Sequence, residues 1–521
     1  MIQQETPPSR RETAKHPDAA AHGIVARVSA WFSSQPRAVL AAGAGVIVVA
    51  LGAGAVAAGA ASNRGPEASI AIIEEDAAAR VVPEAAAAPT RARTCTVETA
   101  DPAFATLAAS VVNAATGEQL YSRDAGEPAA SLALHKVLTA AVAIHVLGPD
   151  TRIATRVYEG SVKGSVVLVG GGDATLSRLP AGAESVYAGA PKLSDLAAQT
   201  TASLERLYPR EEPERRDDDD DDDDRRGPDT ERAPAAPAWE ISGLVVDAGL
   251  WSYSDMWDAG WDPSELTTGT QANITPLMVD GDREDPTLAT SPRGSDPIGT
   301  ATSAFITALD LPEGPKVSTG SAITDRPLLA EVYSQPVSVL VGQMLQLNDH
   351  TLADMLARLA SKTIGSDGSA ASLDQMYRSV LTEYGVPTEG LVVKDGSGLN
   401  PETAANPEYV ARLLAVIVAG EPTLHRIQAA MPVAGVSGPL MHRFSGELAT
   451  VHTTFVGTGS ATGEATTLGG LMTAADGSIL TVSLQSTGAV SGATSLALES
   501  LVAAIHACGD NLANAEPPTD R

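Results

Sequence analysis

Pro128 to Leu147 reads PAASLALHKVLTAAVAIHVL, and this stretch decides the fold. Apolar residues fill almost every position, so a helix built from it has no polar face to offer water and is expected to be buried between layers of a domain. Lys136 stands inside it. A charged amine in a buried helix costs free energy unless it is paired, so the side chain either reaches solvent or lies in an active-site cleft with a displaced pKa. Upstream, Leu107 to Asn113 (LAASVVN), the turn ATGEQ and Leu120 to Ser122 read as a hairpin leading into that helix.

Further segments follow in order. They include LVGGGDATLS (Leu168 to Ser177), ITPLMVDGDR (Ile274 to Arg283), VYSQPVSVLVGQMLQLNDHTLADML, KDGSGLNP (Lys394 to Pro401), MPVAGVSGPLMHRF (Met431 to Phe444) and GGLMTAADGSILTVSL (Gly469 to Leu484). Together with the Lys136 helix they resemble the class C low-molecular-weight penicillin-binding proteins, which are D-alanyl-D-alanine carboxypeptidases and endopeptidases of bacterial cell walls. The resemblance runs over roughly residues 94 to 510, and many ordered segments are more specific than one motif. It implies an α/β, penicillin-binding-protein/β-lactamase-like transpeptidase domain, an antiparallel sheet flanked by helices, built from residues 94–150 and 326–510. A largely β inserted domain is expected at 151–325.

The same resemblance implies three catalytic motifs, and each is altered here. The family's nucleophile is the serine of Ser-x-x-Lys, set on the lysine's face of the helix by the spacing of three. Aligned on Lys136, that position is Ala133, and a methyl group cannot carry an acyl group. Ser131 lies five residues before Lys136, about 140° away round a regular helix, and faces His135 instead, so a Ser131–His135 pair is the alternative source of a nucleophile. The family's Ser-x-Asn is matched by Asn348, Asp349 and His350. Asn348 forms hydrogen bonds yet does not relay a proton as a hydroxyl does, and His350 introduces a ring that ordinarily titrates near neutral pH. Lys-Thr-Gly is matched by Gly457, Thr458 and Gly459: the strand and the Thr458 hydroxyl remain to hold a carboxylate, but the cation is gone.

Composition bounds the rest. The 521 residues carry 35 Lys and Arg against 64 Asp and Glu, a net charge of -29 that repels phosphate backbones and argues against nucleic acid. Asp217 to Asp224 is an unbroken acidic run, read as a solvated loop within 209–237; a calcium site would need turn-forming spacing between its ligands. Ala38 to Ser62 is uncharged, long enough at about 37 Å to cross a bilayer, and preceded by a basic-rich segment that places residues 1–37 in the cytoplasm. The competing reading is a signal peptide cleaved near Ala57 to Ala61, giving a secreted protein. Residues 63–93 read as a spacer and 511–521 as a tail. Cys95 and Cys508 are the only cysteines and bracket the folded part, so outside the cytoplasm they are expected to form a disulfide.

The functional expectation is a single-pass membrane protein with its main domain extracytoplasmic, binding the D-Ala-D-Ala end of peptidoglycan stem peptides or a wall-synthesis protein. Its hydrolytic activity is expected to be impaired. A weakly active serine-type D-Ala-D-Ala carboxypeptidase and a non-catalytic adaptor are the alternatives. No cofactor and no metal are expected.

Overall fold

The computed structural model describes residues 92–98, 100–209, 239–322, 325–420, 422–452 and 455–514. The expected membrane segment at 38–62, the residues before it, nearly all of the spacer and the acidic loop fall outside the described residues.

The hairpin forms from β1 (Ala108–Asn113) and β2 (Gln119–Arg123), which pair antiparallel. After a short ladder between β3 (Ala129–Ala130) and the distant β9 (Ala404–Ala405), the chain enters α1 (His135–Leu147). One sheet has the order β10-β11-β12-β1-β2, with β10 Phe455–Ala461, β11 Ala465–Thr473 and β12 Ile479–Thr487, antiparallel at every pair. β11 and β12 are buried along most of their length because side chains on both faces are covered. Helix α7 (Pro407–Val418) lies over this sheet, and the Thr481 hydroxyl of β12 donates to its Ala411 carbonyl at 2.8 Å. Helix α8 (Gly492–Cys508) is apolar enough by composition to resemble a membrane span, but its Leu498, Val502 and Ile505 are buried with β11 and β12 residues in one core.

A second sheet is built from the segment that follows α1. It has the order β7-β6-β5-β4-β8, built from β4 (Ala154–Glu159), β5 (Ser165–Val169), β6 (Gly243–Asp247), β7 (Lys316–Thr319) and β8 (Leu328–Tyr333). β5, β6 and β7 are parallel, and β4 pairs antiparallel with β5 and β8, so this sheet is mixed and runs past residue 325 to Tyr333. Helices α2 (Leu193–Leu207) and α3 (Pro297–Leu309) join it in a separate apolar core around Phe305.

The helical core between the sheets is centred on α1. It takes in α4 (Val337–Leu347), α5 (His350–Thr363) and α6 (Leu373–Thr382). Ten consecutive residues of α1, His135 to Ile144, are buried, as an all-round apolar sequence requires. At the far edge Cys95 and Cys508 are joined in a disulfide with Cα atoms 5.6 Å apart, and Leu512 bridges to Cys95 beside it.

Candidate active site

The start of α1 is not regular. Residues 132–134 form a 3-10 turn, and Leu132 has φ 43°, the left-handed region that a branched side chain rarely adopts. This backbone change corrects the helical reading of Ser131. Its hydroxyl reaches the Thr403 carbonyl at 3.5 Å and does not pair with His135. The His135 ring stacks on Tyr377, centroids 5.4 Å apart, and both its nitrogens are buried without a hydrogen-bond partner. Burial lowers the His135 pKa to about 4, against the pull of Asp395, so the ring is neutral near pH 7. No Ser–His unit exists here.

Ala133 is fully buried at the head of α1, and its N–H donates to the Ser460 hydroxyl of β10 at 3.2 Å. Lys136, one helical turn on, is 1% exposed. Its Nζ donates to the Ser397 carbonyl at 2.9 Å and lies 3.2 Å from Nδ1 of His350. Desolvation lowers the Lys136 pKa to about 8, opposed by Asp395, Asp349 and Asp354. Burial, reinforced by Lys136, pushes His350 well below its ordinary value, so the neutral ring presents Nδ1 as an acceptor to the amine. The two motifs therefore meet.

His350 is the first residue of α5, and the two residues before it fix its place. Asn348 closes α4 with φ 51°, and its Oδ1 is shielded without a partner. Asp349 caps α5 by accepting from the Leu352 N–H at 2.9 Å.

The third motif lies on β10, one of the two outermost strands of its sheet. Thr458 pairs in register with Gly469, and a Cβ built on Gly469 would lie 2.8 Å from Leu134. Residues directly opposite share a face, so buried Thr458 looks toward the head of α1, as Ser460 does. A Cβ on Gly457 would run into the Gly469 carbonyl and come 2.7 Å from Gly470 Cα, and one on Gly459 would lie 2.6 Å from the Thr467 carbonyl. The strand geometry is adapted to glycine at both positions. Restoring the charge by Gly457→Lys is thus not the simple exchange the sequence suggests.

Sequence reasoning missed the loop that receives the amine. In the sequence KDGSGLNP reads as a landmark of the resemblance with no chemical role of its own. Buried Asp395 accepts from the Gly398, Leu399 and Asn400 N–H groups at 2.8, 3.0 and 2.7 Å and from Trp261 Nε1 at 2.8 Å, which turns the Ser397 carbonyl onto Lys136. Asp354 of α5 accepts from the Gly396 N–H at 2.7 Å. Its pKa is raised to about 7, first by burial and then by Asp395. A Cβ on Gly396 would sit 2.6 Å from Ala357 Cβ, so the loop lies tight on α5. An Asp followed by two glycines around a serine was the available signal for a carboxylate-held turn. Among the described residues no group of His, Cys, Asp and Glu is arranged to hold a metal ion.

The constellation brings together the Lys136 amine, the His350 ring and the Ser397 carbonyl, with the Ala133 methyl at the head of α1. The family model for D-Ala-D-Ala carboxypeptidase 3 (S13) matches residues 93–203 and 313–507. The chain is similar to carboxypeptidase DacB of Mycolicibacterium smegmatis, 29% identical over 418 residues that cover 79% of this chain and 82% of the relative. It is 30% identical to carboxypeptidase Rv3627c of Mycobacterium tuberculosis over 351 residues, 67% of this chain and 68% of the relative. It is also similar to a D-alanyl-D-alanine carboxypeptidase of Actinomadura sp., 29% identical over 374 residues, 64% of this chain and 68% of the relative. Among solved structures it shares the fold of penicillin binding protein 4 from Haemophilus influenzae, with a TM-score of 0.60 at 16% identity over 76% of this chain and 95% of that one. The chain belongs to the D-Ala-D-Ala carboxypeptidase 3 (S13) family.

Proposed function

We propose that the chain is a membrane-anchored, extracytoplasmic cell-wall protein that binds the D-Ala-D-Ala end of peptidoglycan stem peptides without hydrolysing it efficiently. The observation that carries this reading is Ala133, a buried methyl one helical turn before Lys136, where the family's motif has its serine. Acyl transfer needs a nucleophile, a proton acceptor and donors aimed at the developing oxyanion. The nucleophile is absent, the Ala133 N–H is taken by Ser460, and the Lys136 amine faces an imidazole. The binding elements remain. β10 is an outermost strand, which suits an extended peptide, Thr458 on it keeps its hydroxyl, and the Asn348 Oδ1 is without a protein partner. The uncharged segment at 38–62 supplies the anchor in this reading, and the relatives' names supply the substrate class.

The test is calorimetric titration of the protein with a stem pentapeptide, against the same peptide lacking its two terminal D-alanines, alongside an assay for released D-alanine. Saturable binding that depends on the terminal residues, with no release above background, is expected. Equal or absent binding of both peptides would leave the adaptor role in wall synthesis. Release above background would restore the weakly active carboxypeptidase.

A further inference from the structure

The second motif is tied to the inserted segment by a buried ion pair. Oδ2 of Asp349 accepts from Arg283 Nη2 and from the Tyr187 hydroxyl, both at 2.7 Å, and the two side chains of the ion pair are 1% and 0% exposed. Arg283 Nη1 donates to the same tyrosine oxygen at 2.7 Å, and its guanidinium carbon lies 4.8 Å from the Tyr187 ring centroid. The turn that presents Arg283 is unusual: Asp280, Gly281 and Asp282 have φ of 53°, 60° and 57°. Two non-glycine residues in the left-handed region cost free energy, and surrounding contacts must hold them there. Arg293 does so, donating to the Gly281 carbonyl from one side of its guanidinium and to the Gly269 carbonyl from the other.

Burying such a pair is poor economy if stability alone is gained, since apolar side chains of similar volume do as well. What the pair supplies is direction. Asp349 is the cap of α5 and His350 its first residue, so fixing the carboxylate fixes the first turn and the ring that follows it. We propose that Arg283 is a positioning residue for His350: from the inserted segment it holds Asp349, and through the first turn of α5 it aims Nδ1 of His350 at the Lys136 amine. The inserted segment thereby sets the geometry of the site. This rests on the reading of Lys136 and His350 as site residues, and its test requires no ligand, so its failure is distinct from a failure to bind stem peptide.

The experiment is heteronuclear magnetic resonance of the full chain, isotope-labelled at the histidine ring nitrogens, with His350 assigned by its loss in His350→Gln. In the wild type His350 is expected as one tautomer, Nδ1 unprotonated and hydrogen-bonded. In Arg283→Met its Nδ1 signal should move toward the average of the two tautomers, while His506 of α8 stays in place and reports an intact fold. Arg283→Lys should recover part of the shift. If Arg283→Met does not fold, Tyr187→Phe removes one bond to Asp349 while keeping both charges, and a smaller shift in the same direction is expected. Unchanged His350 signals in whichever variant folds would overturn the proposal. So would a wild-type ring already at the tautomer average, or a shift that Arg283→Lys fails to reduce.

Discussion

The edge-strand and α5 parts of the candidate site have fared differently. On the edge-strand side, Ala133, Gly457 and Gly459 carry no polar side chain, and the Ser460 hydroxyl is spent on the Ala133 N–H. On the α5 side, Lys136, His350, Asp349, Asp354 and Asp395 are all buried: the Lys136 amine contacts His350, Asp349 pairs with Arg283 of the inserted segment, and Asp354 and Asp395 hold the loop whose Ser397 carbonyl accepts from the amine. The difference lies in what each group does for the fold. A serine at 133 would serve the transfer step and little else, so a methyl there leaves the packing intact. Arg283 and Asp349 are each other's counter-charge, and removing one strands the other in a low-dielectric interior.

That contrast is broken most directly from the α5 side. Asp349→Ala leaves Arg283 without its carboxylate and Arg293 with less compensating charge, and should cost about 3–5 kcal/mol by urea unfolding. A cost near that of an exposed substitution would show that the network is not integral. As a reference outside both sides, removing the Cys95–Cys508 disulfide should cost about 2–5 kcal/mol, because it closes a long loop in the unfolded chain. Free thiols in protein taken from its native envelope would contradict the bond itself.

On the edge-strand side, Gly457→Lys should lower stability by about 1–3 kcal/mol, since its Cβ meets the β11 backbone. A neutral effect would mean that the strand still accommodates the family's lysine. The smallest effect is one of pH. Asp354 has its pKa raised to about 7 in the folded state, so between its unfolded value and about 7 the folded protein binds more protons and its stability falls as pH rises. Asp354→Asn removes that dependence. Its stability relative to wild type should improve toward neutral pH by less than about 1.4 kcal/mol per pH unit, measured by urea unfolding at about pH 5 and about pH 6. A gap that narrows in the opposite direction would place the carboxylate in a different charge environment.

How much of this was legible follows from how local each feature is. The hairpin, the buried helix and the lysine within it were readable because strand alternation, turn residues and an all-round apolar run act over a few neighbours. The mixed character of the inserted sheet was not, since parallel pairing of β5, β6 and β7 depends on crossovers and not on strand composition. A regular helix sets Ser131 against His135, and the left-handed Leu132 takes it elsewhere. The His350 contact to Lys136, the Asp395 loop and the Arg283–Asp349 pair join segments far apart in sequence, so no local pattern announces them. Gly457 reads in sequence as a lost lysine, and only the backbone of β11 shows that the strand is fitted to glycine.

Whether the proposed binding site lacks a nucleophile is decided by intact-mass spectrometry after incubation with benzylpenicillin. The wild-type protein should show no penicilloyl adduct. Ala133→Ser alone should acylate weakly, because residues acting as a unit recover little singly, and adding Asn348→Ser and His350→Asn should increase it distinctly. A stoichiometric adduct on the unaltered protein, above all one mapped to Ser131, would contradict the account.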